Sequence, residues 1–107
     1  MAKIIKINAD GILFDDGSEI SADHYQDCCE TNYADFKQLD DIGRNTDFDT
    51  SKMIFESVDG EGFRFGNVGK MFFIPCYSEQ NGYYSSDIDI YYNDTRVLNF
   101  DCEQILC

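Results

Sequence analysis

Short apolar stretches cut repeatedly by Asx-Gly dipeptides constrain this chain more than any other feature. Asp10-Gly11, Asp16-Gly17, Asp59-Gly60 and Asn81-Gly82 are turn signals, and Asn67 to Gly69 and Asn93-Asp94 add two more. Such pairs tolerate the positive φ of tight hairpin turns, so strands rather than long helices are expected between them. KIIKIN, ILF and SEI, separated by the first two turns, read as a small meander. KMIFESV, GFRFGNV, KMFFIPCYS, YYSSDIDIYY and RVLNF read as five further strands. In YADFKQLDDIG, Tyr33, Phe36 and Leu39 fall at helical spacing and Gly43 supplies a stop, which predicts a short helix. The polar run from Asn45 to Ser51 predicts a loop. The expected fold class is α+β, mainly antiparallel twisted β-sheet built from hairpin meanders with one or two short helices, in a single domain over residues 1–107.

The Asn81-Gly82 turn also predicts a register. If Gln80 faces Tyr83, Cys76 faces Asp87 on the neighbouring strand. Alternation then puts Phe73, Tyr77, Ile88 and Ile90 on one face, which reads as core, and Cys76, Asp87 and Asp89 on the other. A bulge at Pro75, which has no N–H to give to a ladder, would spoil this pairing.

Charge limits the partners. The 21 acids and 8 Lys and Arg give a formal charge of −13, which opposes direct binding to nucleic acid or an anionic membrane and favours a basic protein or cations. From Ile7 to Phe36 the acids Asp10, Asp15, Asp16, Glu19, Asp23, Asp27, Glu30 and Asp35 occur with no Lys or Arg among them. The ordinary reading is a solvated face with turn aspartates. The sharper one is an acidic surface that imitates nucleic-acid phosphates, with Asp15, Asp16, Glu19 and Asp23 as partner-binding residues. Tyr83 and Tyr84, beside a turn, join them as contact candidates because tyrosine combines apolar area with a hydroxyl. The apolar run of MAKIIKINADG is too short for an export signal or a membrane span. Five cysteines, an odd number, suit a reducing compartment, so a cytoplasmic location in the host cell is expected.

HYQDCCETNYAD, residues 24–35, holds the lone histidine and two adjacent cysteines. His24 and Cys28, four apart, share one face of any helical turn and have the softness zinc prefers. Cys29 enters through an irregular turn, and Cys76 and then Asp87 lead the distant candidates, with Cys102 and Cys107 behind them. The predicted site is thus a structural zinc on His24, Cys28, Cys29, Cys76 and Asp87, set against buried free cysteines that pack as small hydrophobes. A nucleophilic Cys28 or Cys29 with His24 as base is disfavoured, because Asp23, Asp27 and Glu30 would raise the thiol pKa. No nucleophile elbow or phosphate-binding glycine loop is present, and Gly60, Gly62, Gly66 and Gly69 suit turns better than nucleotide binding. The protein is therefore expected not to be an enzyme.

HYQDCCETNYADF, followed by GEGFRFGNVGKMFFIPCYSEQNGYYSSDI, resembles a family of small, functionally uncharacterised phage and bacterial proteins with H-x-Q-D-C-C-E and P-C-Y-x-x-Q-N-G-Y-Y-S motifs. His24, Gln26, Asp27, Cys28, Cys29, Glu30, Cys76, Tyr77, Gln80, Asn81, Gly82, Tyr83 and Tyr84 occupy its pattern. The resemblance implies that the two motifs belong to one site, but brings no activity. By analogy with small acidic counter-defence proteins of phages, the expected function is anti-CRISPR-like inhibition: binding a basic nucleic-acid-binding surface of a host nuclease and blocking DNA loading. The alternatives are a metal-dependent or thiol enzyme of unknown substrate and a metal-free protein-interaction module.

Overall fold

The computed structural model describes residues 1–23, 31–80 and 86–106. It is mostly antiparallel β-sheet, with 60% of the described residues in strands and 11% in helices, as the density of turn signals predicts. The first three strands, β1 (Ile4–Ile7), β2 (Gly11–Phe14) and β3 (Glu19–Asp23), form the expected antiparallel meander. β4 (Thr31–Ala34) follows, then a 3-10 turn at Phe36–Gln38 and the one-turn helix α1 (Asp41–Arg44). The single helix expected here is split in two because Asp40 caps a new start, its carboxylate accepting the Gly43 N–H at 2.7 Å. Tyr33 lies in the preceding strand instead.

After a second 3-10 turn at Thr50–Lys52 come β5 (Ile54–Val58), β6 (Gly62–Asn67) and the long β7 (Lys70–Gln80), joined antiparallel. β8 (Asp87–Tyr92), β9 (Thr95–Asp101) and β10 (Glu103–Leu106) complete the chain. Asn93 and Asp94 both take positive φ, 49° and 68°, as the tight β8–β9 turn requires. One sheet has the order β1-β2-β3-β8-β9 and the other β10-β7-β6-β5, with β4 also on β7.

The predicted β7–β8 hairpin does not form. β8 is flanked by β3 and β9, with Asp87 opposite Asp101, while Cys76 lies opposite Ala34 of β4. Cys76 and Asp87 therefore sit in different sheets. A turn signal fixes only a reversal of the chain, whereas β8 alternates Ile88 and Ile90 with acids and finds two partners elsewhere. Pro75 causes no bulge. Its carbonyl accepts the Asp35 N–H at 2.8 Å and it has no N–H to return, so the β4 ladder ends there. The next N–H, of Cys76, turns to the other edge and reaches Glu61 O at 3.0 Å. β10 continues along β7 in parallel, with Glu103 opposite Tyr77.

The inner faces of both sheets meet in one core, led by Phe14, Ile20, Ile88 and Ile90 from the first sheet and Phe63, Phe65 and Ile74 from the second. Phe48 plugs the space between them. Its ring meets Phe14 edge-on at 5.5 Å and Phe72 edge-on at 5.7 Å, and tilts against Phe65 at 5.7 Å. Reciprocal 2.8 Å backbone bonds between Phe48 and Ala2 hold that loop in place. Among the described residues no helix is long and apolar enough to cross a membrane.

Candidate functional site

Alternation on β3, β8 and β9 turns Ile20, Ala22, Ile88, Ile90 and Phe100 into the core, which leaves their neighbours on the outer face of the first sheet. Register then builds an acidic array. Asp23 lies opposite Asp89, which lies opposite Asn99, and Asp87 lies opposite Asp101. Glu19 stands on the same face of β3. Among the described residues, cations on this face include Arg96, 3.7 Å from Asp89 Oδ1, and Lys6 at the β1 edge. Asn99 Nδ2 donates to Asp89 Oδ1 at 2.8 Å and weakly to Asp87 Oδ2 at 3.4 Å. Five carboxylates thus share a surface whose same-side positions along a strand are about 6.8 Å apart, twice the rise per residue.

Of the expected partner-binding residues, Glu19 and Asp23 belong to this array. Asp15 and Asp16 stand exposed at the β2–β3 turn instead. Asp16 is partly engaged within the chain: Thr50 Oγ1 donates to it at 2.6 Å and the Ser18 N–H at 2.9 Å, and these bonds hold its carboxyl below the usual aspartate range. Tyr83 and Tyr84 lie outside the described residues, as do His24, Cys28 and Cys29 of the expected zinc site.

The other two expected ligands are separated. Asp87 points its carboxylate outward from the first sheet, whereas Cys76 is fully buried on the inner face of β7. The register that sets Glu103 opposite Tyr77 brings Cys102 alongside Cys76, and both thiols are free and buried. A hydrogen bond with the Cys102 thiol, then burial, pushes the Cys76 thiol far up. Among the described residues no three His, Cys, Asp or Glu side chains are grouped to hold a metal ion.

A polar bridge that the sequence reading overlooked lies beside this thiol pair. Ser78 is fully buried and its hydroxyl donates to Asn32 Oδ1, while Asn32 Nδ2 donates to the Asp87 carbonyl at 2.9 Å. The bridge joins β7, β4 and β8, and so ties the second sheet to the acidic edge of the first. In β7 the inward set is Ile74, Cys76 and Ser78, the reverse of the expected faces, and Phe73 is 42% exposed with Tyr77 on its side, because β7 pairs with β4 and β6 rather than β8. The partner Asn32 lay hidden because β4 was read as the approach to a helix.

No curated protein and no solved structure matches the chain. A family model described as a domain of unknown function, DUF7448, matches residues 2–90, from the first residues of the meander into β8. The chain belongs to that family, whose members share a domain to which no function has been assigned.

Proposed function

We propose that this protein is a small acidic binding module of the anti-CRISPR type, which covers a basic, nucleic-acid-binding surface of a host nuclease and blocks DNA loading. The observation that carries the reading is the array of Glu19, Asp23, Asp87, Asp89 and Asp101 on one sheet face. A rigid sheet presents those charges in fixed rows, a coarse counterpart of phosphates along a nucleic-acid backbone. A surface of this kind speeds encounter with a basic groove and loses its hold as salt screens it. The formal charge of −13 adds a long-range field of the same sign.

The test combines capture and DNA-cleavage assays with guide-loaded CRISPR nucleases of the host at moderate salt. The protein is expected to prevent DNA binding, and Asp23→Asn with Asp89→Asn to weaken inhibition by about tenfold, the scale of two exposed charge contacts at about 0.7 kcal/mol each. Inhibition that persists undiminished in this double variant, or no binding to any nucleic-acid enzyme of the host, would end the proposal. A structural zinc on His24, Cys28 and Cys29 is a separable part of the reading. Elemental analysis should then find one zinc per chain, lost on His24→Ala, and a metal-free purified protein would remove that part while leaving the acidic face intact.

A further inference from the structure

The opposite side of the molecule carries a surface of different chemistry. On the second sheet Phe55, Phe63, Phe65, Phe72 and Ile74 face the core, so the residues between them face out. Register sets them in rows. Ile54, Gly66 and Met71 form one, Glu56, Arg64 and Phe73 the next, and Val58, Gly62 and Pro75 a third. The two glycines leave β6 without side chains on either side of Arg64. Neither can be replaced easily, because a Cβ at Gly62 would lie 2.1 Å from Ile74 O, and one at Gly66 2.0 Å from Lys70 O. Both glycines are nonetheless buried beneath the side chains around them, so the face is a low apolar patch of Ile54, Val58, Met71 and Phe73 about Arg64. Phe73 remains 42% exposed although its ring leans toward Gly62.

Along β7 the patch leads to an aromatic corner. The Tyr33 and Tyr77 rings meet at 5.7 Å with a 48° tilt, and the Tyr33 hydroxyl donates to Glu79 Oε1 at 3.2 Å. Burial and then the Glu79 carboxylate push the Tyr33 phenol up, so it stays a neutral donor. Ile105 of β10 lies 39% exposed in the row of Glu79. Among the described residues carboxylates outnumber cations here too, with Asp35, Glu56, Glu79 and Glu103 set against Arg64.

We propose that this outer face of the second sheet is a docking surface for a cationic, partly apolar segment of a partner protein, lying along β7. Apolar side chains of the segment pack on Met71 and the exposed Phe73, and a Lys or Arg reaches the Tyr33–Tyr77 corner, where ring faces and Glu79 attract a cation together. The excess of carboxylates selects that occupant. A second copy of the chain would bring its own charge of −13 and the same acidic face, so like charges would oppose each other across the contact. The proposal uses neither the carboxylate array of the first sheet nor the nuclease reading.

The probe is a short synthetic peptide alternating lysine and leucine, labelled for fluorescence anisotropy, with a glutamate–leucine peptide as control. The intact protein should bind the first and not the second. Phe73→Ser and Tyr77→Ser should each weaken binding by about fivefold or more, and Glu56→Gln with Glu79→Gln should weaken it and flatten its salt dependence. Asp23→Asn with Asp89→Asn, on the far face, reports any peptide held by the carboxylate array instead. Thermal melts accompany each variant, and the Glu56, Glu79 pair, with no part in the core, keeps the test valid where an aromatic variant loses stability. Binding unaffected by all the second-sheet variants overturns the proposal, as does binding lost only in the far-face pair. A dimer in light scattering that Phe73→Ser dissociates would assign the surface to a second copy and overturn it equally.

Discussion

At the residue scale, Cys76 shows how location decides the chemistry of a side chain. In the sequence it stands in a motif beside Pro75 and Tyr77, and the predicted register that faces it with Asp87 makes it the first distant candidate for the expected zinc. In the fold it has no exposed surface, shares a hydrogen bond with Cys102, and keeps its proton well above the usual thiol range. The sign of the consequence is fixed. An unfolded thiol ionises near about pH 8.5, so above that pH the folded chain binds more protons than the unfolded one and stability falls as pH rises. Below it the contribution is fully present. Urea unfolding of the native protein should therefore lose stability between about pH 8.5 and 10.5, with up to about 1.4 kcal/mol per pH unit traceable to this thiol. Cys76→Ala should be less stable at pH 7 by about 1–2 kcal/mol, from the lost sulfur packing, and should show a flatter alkaline limb. Parallel limbs in the two proteins would remove Cys76 as the source.

At the scale of elements, what was legible follows from the range of each signal. Strands β1–β3, β5–β9 and most of their turns were readable because Asx-Gly and Asn-Asp pairs act within two residues. β4 and β10 were missed: TNYA and EQIL are too short to carry a pattern and take their structure from β7, a strand distant in sequence. The β7–β8 pairing was misread for the same reason, since neighbours in the chain need not be neighbours in a sheet. The acidic array was half visible. Glu19 and Asp23 stood out in a run without cations, but Asp87, Asp89 and Asp101 joined them only through the β3–β8–β9 register. The glycines of β6 carry an element-scale prediction. Gly66 has φ of +147° and no room for a Cβ beside Lys70 O, so Gly66→Ala should separate β6 from β7 locally and cost about 2 kcal/mol or more. Gly60, at φ of +75° in the β5–β6 turn with open space around it, provides the comparison. Gly60→Ala bears only the backbone strain and should cost about 1 kcal/mol. Denaturant midpoints check the pair, and a Gly66 variant no worse than the Gly60 variant would refute the close approach.

At the scale of the whole molecule, charge sets stability against binding. Asp23 opposite Asp89 and Asp87 opposite Asp101 are directly facing like charges on neighbouring strands, an arrangement that destabilises a sheet by roughly 0.2–1 kcal/mol per pair. Asn99 and Arg96 relieve Asp89 in part. Asp101, exposed at the end of β9, is the simplest of these groups to alter, since its structural bond to Gly60 runs through the backbone carbonyl at 2.9 Å. If the array serves to meet a basic surface, removing one of its charges should help the fold and harm the contact. Asp101→Asn should raise stability by a few tenths of a kcal/mol at low salt, a gain that fades as salt screens the repulsion. The same change should slow association with the basic partner while leaving dissociation nearly unaltered, because steering acts on encounter. Chemical denaturation at two ionic strengths measures the first effect and stopped-flow binding the second. A variant that gained stability and associated at the unaltered rate would show that the carboxylates of this face are only a solvated surface, and would detach the acidic array from function.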